Sequence, residues 1–264
     1  MNLQLKGKTA FITGSTAGIG FAVAKSLLQE GVKVIINGRN KAGIDDAIER
    51  LKTAVPDADV KGIVADFSEV NDVDNLLTKL PHIDILVNNV GTYASQSFCE
   101  TTDAEWMRQF EVNVMSGVRL SRHLLPKMVV ANWGRIIFVS SECATLVPTD
   151  LIAYSMTKAA ILAVSRGLAQ LTKGTNVTVN TAVPGSTLTE GAAQFLDNLA
   201  EKENKTRDEV ETAFFSDVRT SSLLQRFASV EEVAHTITYL VSPLAAATNG
   251  AAIKIDGGSM GGII

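Results

Sequence analysis

Tyr154 and Lys158 stand four positions apart in the stretch IAYSMTKAAILAVSRGLAQL, residues 152–171, whose apolar content predicts a mostly buried helix. On a helix, positions i and i+4 lie on one face, so the phenol and the ammonium point the same way. An ammonium beside a phenol favours the phenolate and draws the phenol pKa down from about 10, which makes a proton donor for near-neutral pH. Read alone, the pair is more simply a half-buried core tyrosine beside a snorkelling surface lysine. The rest of the chain has to decide between the two.

A second chemical signal is TGSTAGIG, residues 13–20. Gly14 permits a tight turn, Gly18 lets the backbone approach a pyrophosphate, and Gly20 allows close helix–strand packing. Amides at the helix N-terminus favour the anion. The spacing is Gly-x3-Gly-x-Gly with no GK[ST] after it, which argues against a nucleotide-hydrolysing loop. Sites that prefer NAD place Asp or Glu at the end of the second strand. Here that strand ends Asn37, Gly38, Arg39, Asn40. Gly38 takes the acidic position, and the planar fork of Arg39 suits a ribose 2′-phosphate. Lys41 adds charge, and the hydroxyls of Ser15 and Thr16 are placed to donate from the other side. Charge logic therefore predicts NADP(H) over NAD(H). The plainer reading is an Asn-Gly turn followed by a surface arginine.

The elements that must position these residues are legible as short apolar runs between helix-period segments. The runs are KTAFIT (8–13), VKVIIN (32–37), DVKGIV (59–64), IDILVN (83–88), RIIFVS (135–140), NVTVNTAV (176–183) and AAIKID (251–256). They are nearly continuous in Val and Ile, as strands covered on both faces are. GIGFAVAKSLLQEG and KAGIDDAIERLKTA carry the apolar spacing of helices packed on a sheet. The prediction is an α/β fold: a doubly wound parallel seven-stranded sheet with helices on both faces, a Rossmann fold, as one domain over 1–264. Its functional groups belong at the carboxyl ends of the strands. The segment from about 186 to 228 breaks the rhythm, and its stretch AEKENKTRDEVE (200–211) reads as a solvated helix face or a mobile excursion.

With these motifs in their order, the chain resembles the short-chain dehydrogenase/reductase family nearly from end to end. TGSTAGIG is similar to that family's cofactor loop, with Ile19 between its last two glycines. Asp66 in VADF matches the acid that contacts the adenine amino group, with Phe67 beside it. NNVG (88–91) matches the Asn-Asn-Ala-Gly stretch that supplies Asn89 and Gly91, with Val90 for alanine. Asn113 in FEVNVMSG matches the family's helix asparagine, and Ser141 precedes Tyr154 by the family's thirteen-residue interval. PGSTLT matches the segment that embraces the nicotinamide carboxamide, through Pro184, Gly185, Thr187 and Thr189. IDGG (255–258) matches the C-terminal signature. One departure is Ala17, where many NADP-preferring members carry a basic residue before Gly18.

The resemblance implies an oxidoreductase that moves hydride between a nicotinamide and a carbonyl or secondary alcohol. Tyr154 is then the general acid/base, and Lys158 lowers its pKa and holds the nicotinamide ribose. Ser141 polarises the substrate oxygen, and Asn113 anchors a water that relays protons from Lys158. Ser140 is the alternative to Ser141, since successive strand residues face opposite ways. A non-catalytic nicotinamide-binding regulator would have no use for the tetrad. Epimerisation or dehydration on the same scaffold stays open.

The substrate wall is expected from Tyr93, Glu142, Cys143, Ala144, Leu146 and Val147, with a lid over about 186–225. Glu142 and Glu190 are its possible polar anchors, Glu142 more simply a structural carboxylate. The net charge of −4 carries no nucleic-acid footprint. No apolar run is long enough for a bilayer, and MNLQLKGKTAFITG has no signal layout. Cys99 and Cys143 with His82, His123 and His235 show no metal-ligand spacing. A cytoplasmic, metal-free protein is expected, paired as dimer or tetramer through the helices of Asn113 and Tyr154, with SMGGII at a second interface.

Overall fold

The computed structural model describes residues 2–262. All seven apolar runs become strands of one parallel sheet: β1 (Thr9–Ile12), β2 (Lys33–Gly38), β3 (Val60–Val64), β4 (Ile85–Asn88), β5 (Gly134–Val139), β6 (Val177–Pro184) and β9 (Ala252–Ile255). Their spatial order is β3-β2-β1-β4-β5-β6-β9. The chain grows outward from β1 through β2 to β3, then returns to place β4 on the other side of β1. Ile12 of β1 is therefore in register with both Ile36 and Val87. This reversal opens a crevice beyond the carboxyl ends of β1 and β4.

Burial explains the composition of the runs. Every residue of β4, β5 and β6 is buried, and each Val or Ile so covered contributes about 1.5–3 kcal/mol. One face of the sheet carries α1 (Gly18–Gln29), α2 (Lys41–Ala54) and α10 (Val230–Leu240), the other α3 (Val70–Lys79), α5 (Ser116–Val130) and α7 (Ile152–Gln170). The expectation of two covered faces fails at the borders, where β3 and β9 are partly exposed because they are edge strands. Between β4 and α5 lies α4 (Asp103–Phe110), which runs into a π-helical turn at Glu111–Met115. A short helix α6 (Cys143–Leu146) follows β5.

The segment that broke the rhythm is ordered by its own small core. β7 (Thr187–Leu188) pairs in parallel with β8 (Ala228–Ser229), and between them run α8 (Glu190–Glu203) and α9 (Arg207–Ala213). Leu196, Ala200 and Val210 pack with Leu188, Leu199 and Phe227. The charged stretch 200–211 lies across the α8–α9 turn, where the Thr206 and Glu209 side chains form a capping box. Among the described residues no helix is long and apolar enough to cross a membrane, and no cluster of His, Cys, Asp and Glu could hold a metal ion. The expectation for SMGGII rests partly on Ile263 and Ile264, which lie outside the described residues.

Candidate active site

The glycine loop is held by hydrogen bonds from three neighbouring strands. The Asn37 side chain accepts from the Gly14 amide at 3.0 Å and donates to the Ile63 and Ala65 carbonyls. Thr13 Oγ1 accepts from the amides of Asn89 and Val90, both at 2.9 Å. Asn89 Nδ2 returns hydrogen bonds to the Thr13 and Gly14 carbonyls. Glycine at position 20 follows from this packing: a Cβ there would lie 2.5 Å from Asn89 Nδ2 and 2.6 Å from the Gly14 carbonyl oxygen. The loop thus turns directly into α1, whose N-terminal amides face the crevice.

The adenine end of the crevice is lined by Thr16, Gly38, Arg39, Asp66, Phe67 and Asn89, with Arg108 opposite. Asp66 Oδ1 accepts from the Ser68 amide and hydroxyl. The amide bond above all, with the hydroxyl and the Arg39 charge, holds its carboxyl below the usual range. Gly38 is tightly covered, for a Cβ there would meet Thr16 Cγ2 at 2.7 Å. One expected cofactor contact needs correction. Ser15 is fully buried, and its hydroxyl donates to the Ile12 carbonyl and accepts from the Asn37 amide, so it cannot reach a 2′-phosphate. Phe67 borders the crevice as expected, with its ring packed into the core beneath.

At the other end, Ser141, Tyr154 and Lys158 converge on a cleft also lined by Ile19, Gly91, Tyr93, Pro184, Gly185, Thr187 and Thr189. The Lys158 side chain crosses under Tyr154, its Nζ 5.4 Å from the ring centroid, and donates to the Val139 carbonyl at 3.0 Å. Gly91 makes room for it, since a Cβ there would stand 3.3 Å from Nζ. Asn113 lies in the π turn, an element frequent at functional sites. Its side chain accepts from the Thr92 amide and donates to the Thr92 carbonyl and to Thr157 Oγ1. The two serines separate as the strand alternation requires. Both border the cleft, but Ser140 Oγ is committed to the Lys158 backbone carbonyl, to which it donates at 2.8 Å, whereas Ser141 Oγ accepts from the Cys143 amide.

The electrostatics correct one expectation. Burial pushes the Tyr154 phenol well above its usual pKa, Cys143 adds to this, and the hydrogen bond from Ser141 is the main counterweight. Lys158 directs its ammonium at the Val139 carbonyl. The same burial lowers Lys158 to about 8. Behind the cleft, Cys143 is buried and its thiol is pushed up, again by burial first.

Glu142 is structural and not a substrate anchor. Its carboxylate, nearly inaccessible, pairs with Arg219 Nε at 2.8 Å and accepts from Ser186 Oγ. It ties both ends of the 186–219 segment to the residue beside Ser141. Glu190 is corrected too: its carboxylate accepts from the Gly18 amide at 2.8 Å, on the glycine loop. Sequence reasoning missed Thr13 and Asn37 as organisers of that loop. The signal was available for Asn37, a polar side chain at the end of an apolar run and therefore in need of buried partners.

The residues fit a dinucleotide. The loop is closed at Gly20 by atoms a Cβ would strike, the Gly18 amide at the start of α1 holds a carboxylate oxygen, and one Asp66 oxygen is left for an exocyclic amine. Comparison with known proteins agrees with this geometry. Residues 8–200 match the short chain dehydrogenase profile. The chain is 46% identical over 258 residues to the uncharacterized oxidoreductase YvaG of Bacillus subtilis (strain 168), covering 98% of each. It is 47% identical over 261 residues to YvrD of the same organism, again covering 98% of each. Among solved structures, L-sorbose reductase from Gluconobacter frateurii, complexed with NADPH and L-sorbose, superposes with a TM-score of 0.92 at 30% identity, covering 100% of both chains.

Proposed function

The chain belongs to the short-chain dehydrogenase family and is an NAD(P)-dependent oxidoreductase; from that premise we propose that it is an NADP(H)-dependent carbonyl reductase with Tyr154 as proton donor. The observation that carries the reading is the convergence of Ser141, Tyr154 and Lys158 on one cleft at the carboxyl ends of β4, β5 and β6. A bound nicotinamide supplies or accepts the hydride. Ser141 donates to the substrate oxygen and stabilises the developing alkoxide. Tyr154, kept protonated by its burial, gives that oxygen its proton. In the oxidative direction the cationic ring and the Lys158 ammonium together favour the phenolate. Lys158 also holds the nicotinamide ribose, and Asn113, fixed to Thr92 and Thr157, retains the water that reconnects Lys158 to solvent.

The preference for NADP(H) rests on the absence of a carboxylate at the end of β2 and on Arg39 beside the adenine pocket. Parallel titrations of NADPH and NADH at fixed ionic strength test it. NADPH is expected to bind at least tenfold more tightly, about 1.4 kcal/mol. Equal affinity would reduce Asn37–Asn40 to a turn. L-sorbose belongs first in a substrate screen, since a 30%-identical reductase binds it. The segment 186–225 serves as the lid in this reading. An apolar groove between α5 and α7, lined by Val118, Leu125, Val164, Leu168 and Leu171, suits pairing of two chains.

The serines give a contrasting pair of variants. Ser141→Ala is expected to lower kcat by about 10²-fold or more, as loss of an oxyanion donor does. Ser140→Ala removes only the hydrogen bond to the Lys158 carbonyl and is expected to cost about 1 kcal/mol of stability with kcat nearly unchanged. Denaturant titration and steady-state kinetics on both variants measure the contrast. A larger kcat loss for Ser140→Ala would reverse the assignment.

A further inference from the structure

The contact between Glu190 and the glycine loop joins residues 172 positions apart at the spot where a pyrophosphate would lie. Glu190 is the first residue of α8, and Thr189 caps that helix by accepting from the Ala192 amide. The Glu190 carboxylate reaches across the crevice to the Gly18 amide at the N-terminus of α1. Thr189 covers the same glycine, its Cγ2 lying 3.4 Å from where a Gly18 Cβ would be. A carboxylate is favoured there for the reason a phosphate is: exposed amides and the positive end of the helix dipole. One amide hydrogen cannot serve both anions, and two anions at one spot repel.

We propose that Glu190 is a latch on the dinucleotide site: its carboxylate takes the place of a phosphate oxygen on Gly18, so cofactor binding and release of α8 are one event. The inference rests on the cofactor reading above and extends it to regulation of the same site. Arg50 gives the displaced carboxylate somewhere to go. Its guanidinium lies over the Phe21 ring, and Nη2 already stands 3.7 Å from the other Glu190 oxygen. The latch therefore has two positions, on the Gly18 amide without dinucleotide and on Arg50 with it. Because α8 opens the proposed lid, the lid is freed to respond to substrate only after the cofactor has arrived. By linkage, whatever the latch contributes to holding α8 in the ligand-free protein is lost from dinucleotide affinity.

The test is NADPH titration, followed by its fluorescence, into wild type, Glu190→Gln and Glu190→Ala, with hydrogen exchange of residues 190–196 measured on each protein. Both variants are expected to bind NADPH about three- to tenfold more tightly, a modest factor because the carboxylate is largely exposed. Ligand-free, residues 190–196 should exchange faster in the variants than in wild type, and the difference should vanish at saturating NADPH. Unchanged or weaker affinity in both variants, or exchange in ligand-free Glu190→Ala equal to wild type, would overturn the latch. If neither NADPH nor NADH bound wild type or either variant, the cofactor reading itself would fall, and the latch with it.

Discussion

Tyr154→Phe is expected to lower kcat about 10³-fold or more while leaving the dissociation constant for NADPH within about threefold of wild type. The substitution keeps the ring and removes only the hydroxyl. The ring makes an edge contact with Tyr93, with centroids 5.9 Å apart, and carries Lys158 beneath it. Both contacts survive in phenylalanine, so the cleft keeps its shape. What disappears is the group that hands a proton to the substrate oxygen. The Cys143 thiol, which burial keeps protonated, is buried and does not replace it. Steady-state kinetics with NADPH titration separate the two effects. Turnover surviving within tenfold would remove Tyr154 from the chemistry, and an equal loss of cofactor affinity would make it a structural residue.

The fold was legible because a parallel sheet covered on both faces leaves a simple pattern. Seven apolar runs, the first six each followed by a helix-period segment, admit few other arrangements, and all seven became strands. β7 and β8 escaped because a two-residue strand has no period to detect; they exist through the contacts of Leu188 and Phe227 in a small separate core. The cleft was legible in part. Tyr154, Lys158, Ser141 and the glycines lie within their own motifs, and local spacing carries them to the right place. Long-range partners were not. Ser15 looked available until Asn37, 22 residues away, took its hydroxyl. Glu142 read more simply as a structural carboxylate, and its pairing with Arg219 agrees, whereas Glu190 looked like a substrate anchor because sequence shows a carboxylate but not its partner, here the Gly18 amide. The Tyr154 phenol was misjudged in sign for a related reason. Helical spacing predicts that an ammonium is near, but burial is set by the whole fold, and here it is the largest influence on the phenol.

Burial also yields the second large effect, and its sign runs against the usual one. Lys158→Met is expected to abolish turnover at pH 7 and to raise the melting temperature by roughly 5 °C. Lys158 is 3% exposed and has no carboxylate against its ammonium, only the Val139 carbonyl. Its folded pKa of about 8 lies below the ordinary 10.5. Below pH 8 both folded and unfolded chains hold the proton, and the folded one carries a desolvated charge at a cost of about 3 kcal/mol. Between about 8 and 10.5 the folded chain has released its proton and the unfolded chain has not, so the cost fades as pH rises. Methionine removes the charge at every pH and fills much of the same volume. Loss of the hydrogen bond to Val139 returns about 1 kcal/mol, leaving a net gain of about 2 kcal/mol at pH 7. The gain should shrink and change sign above pH 10.5, where wild type no longer buries a charge. Melting curves at pH 7 and pH 11 check both parts. A variant less stable than wild type at pH 7 would show that the ammonium stabilises the fold. The expected result identifies it instead as a charge the protein retains for catalysis, against its own stability.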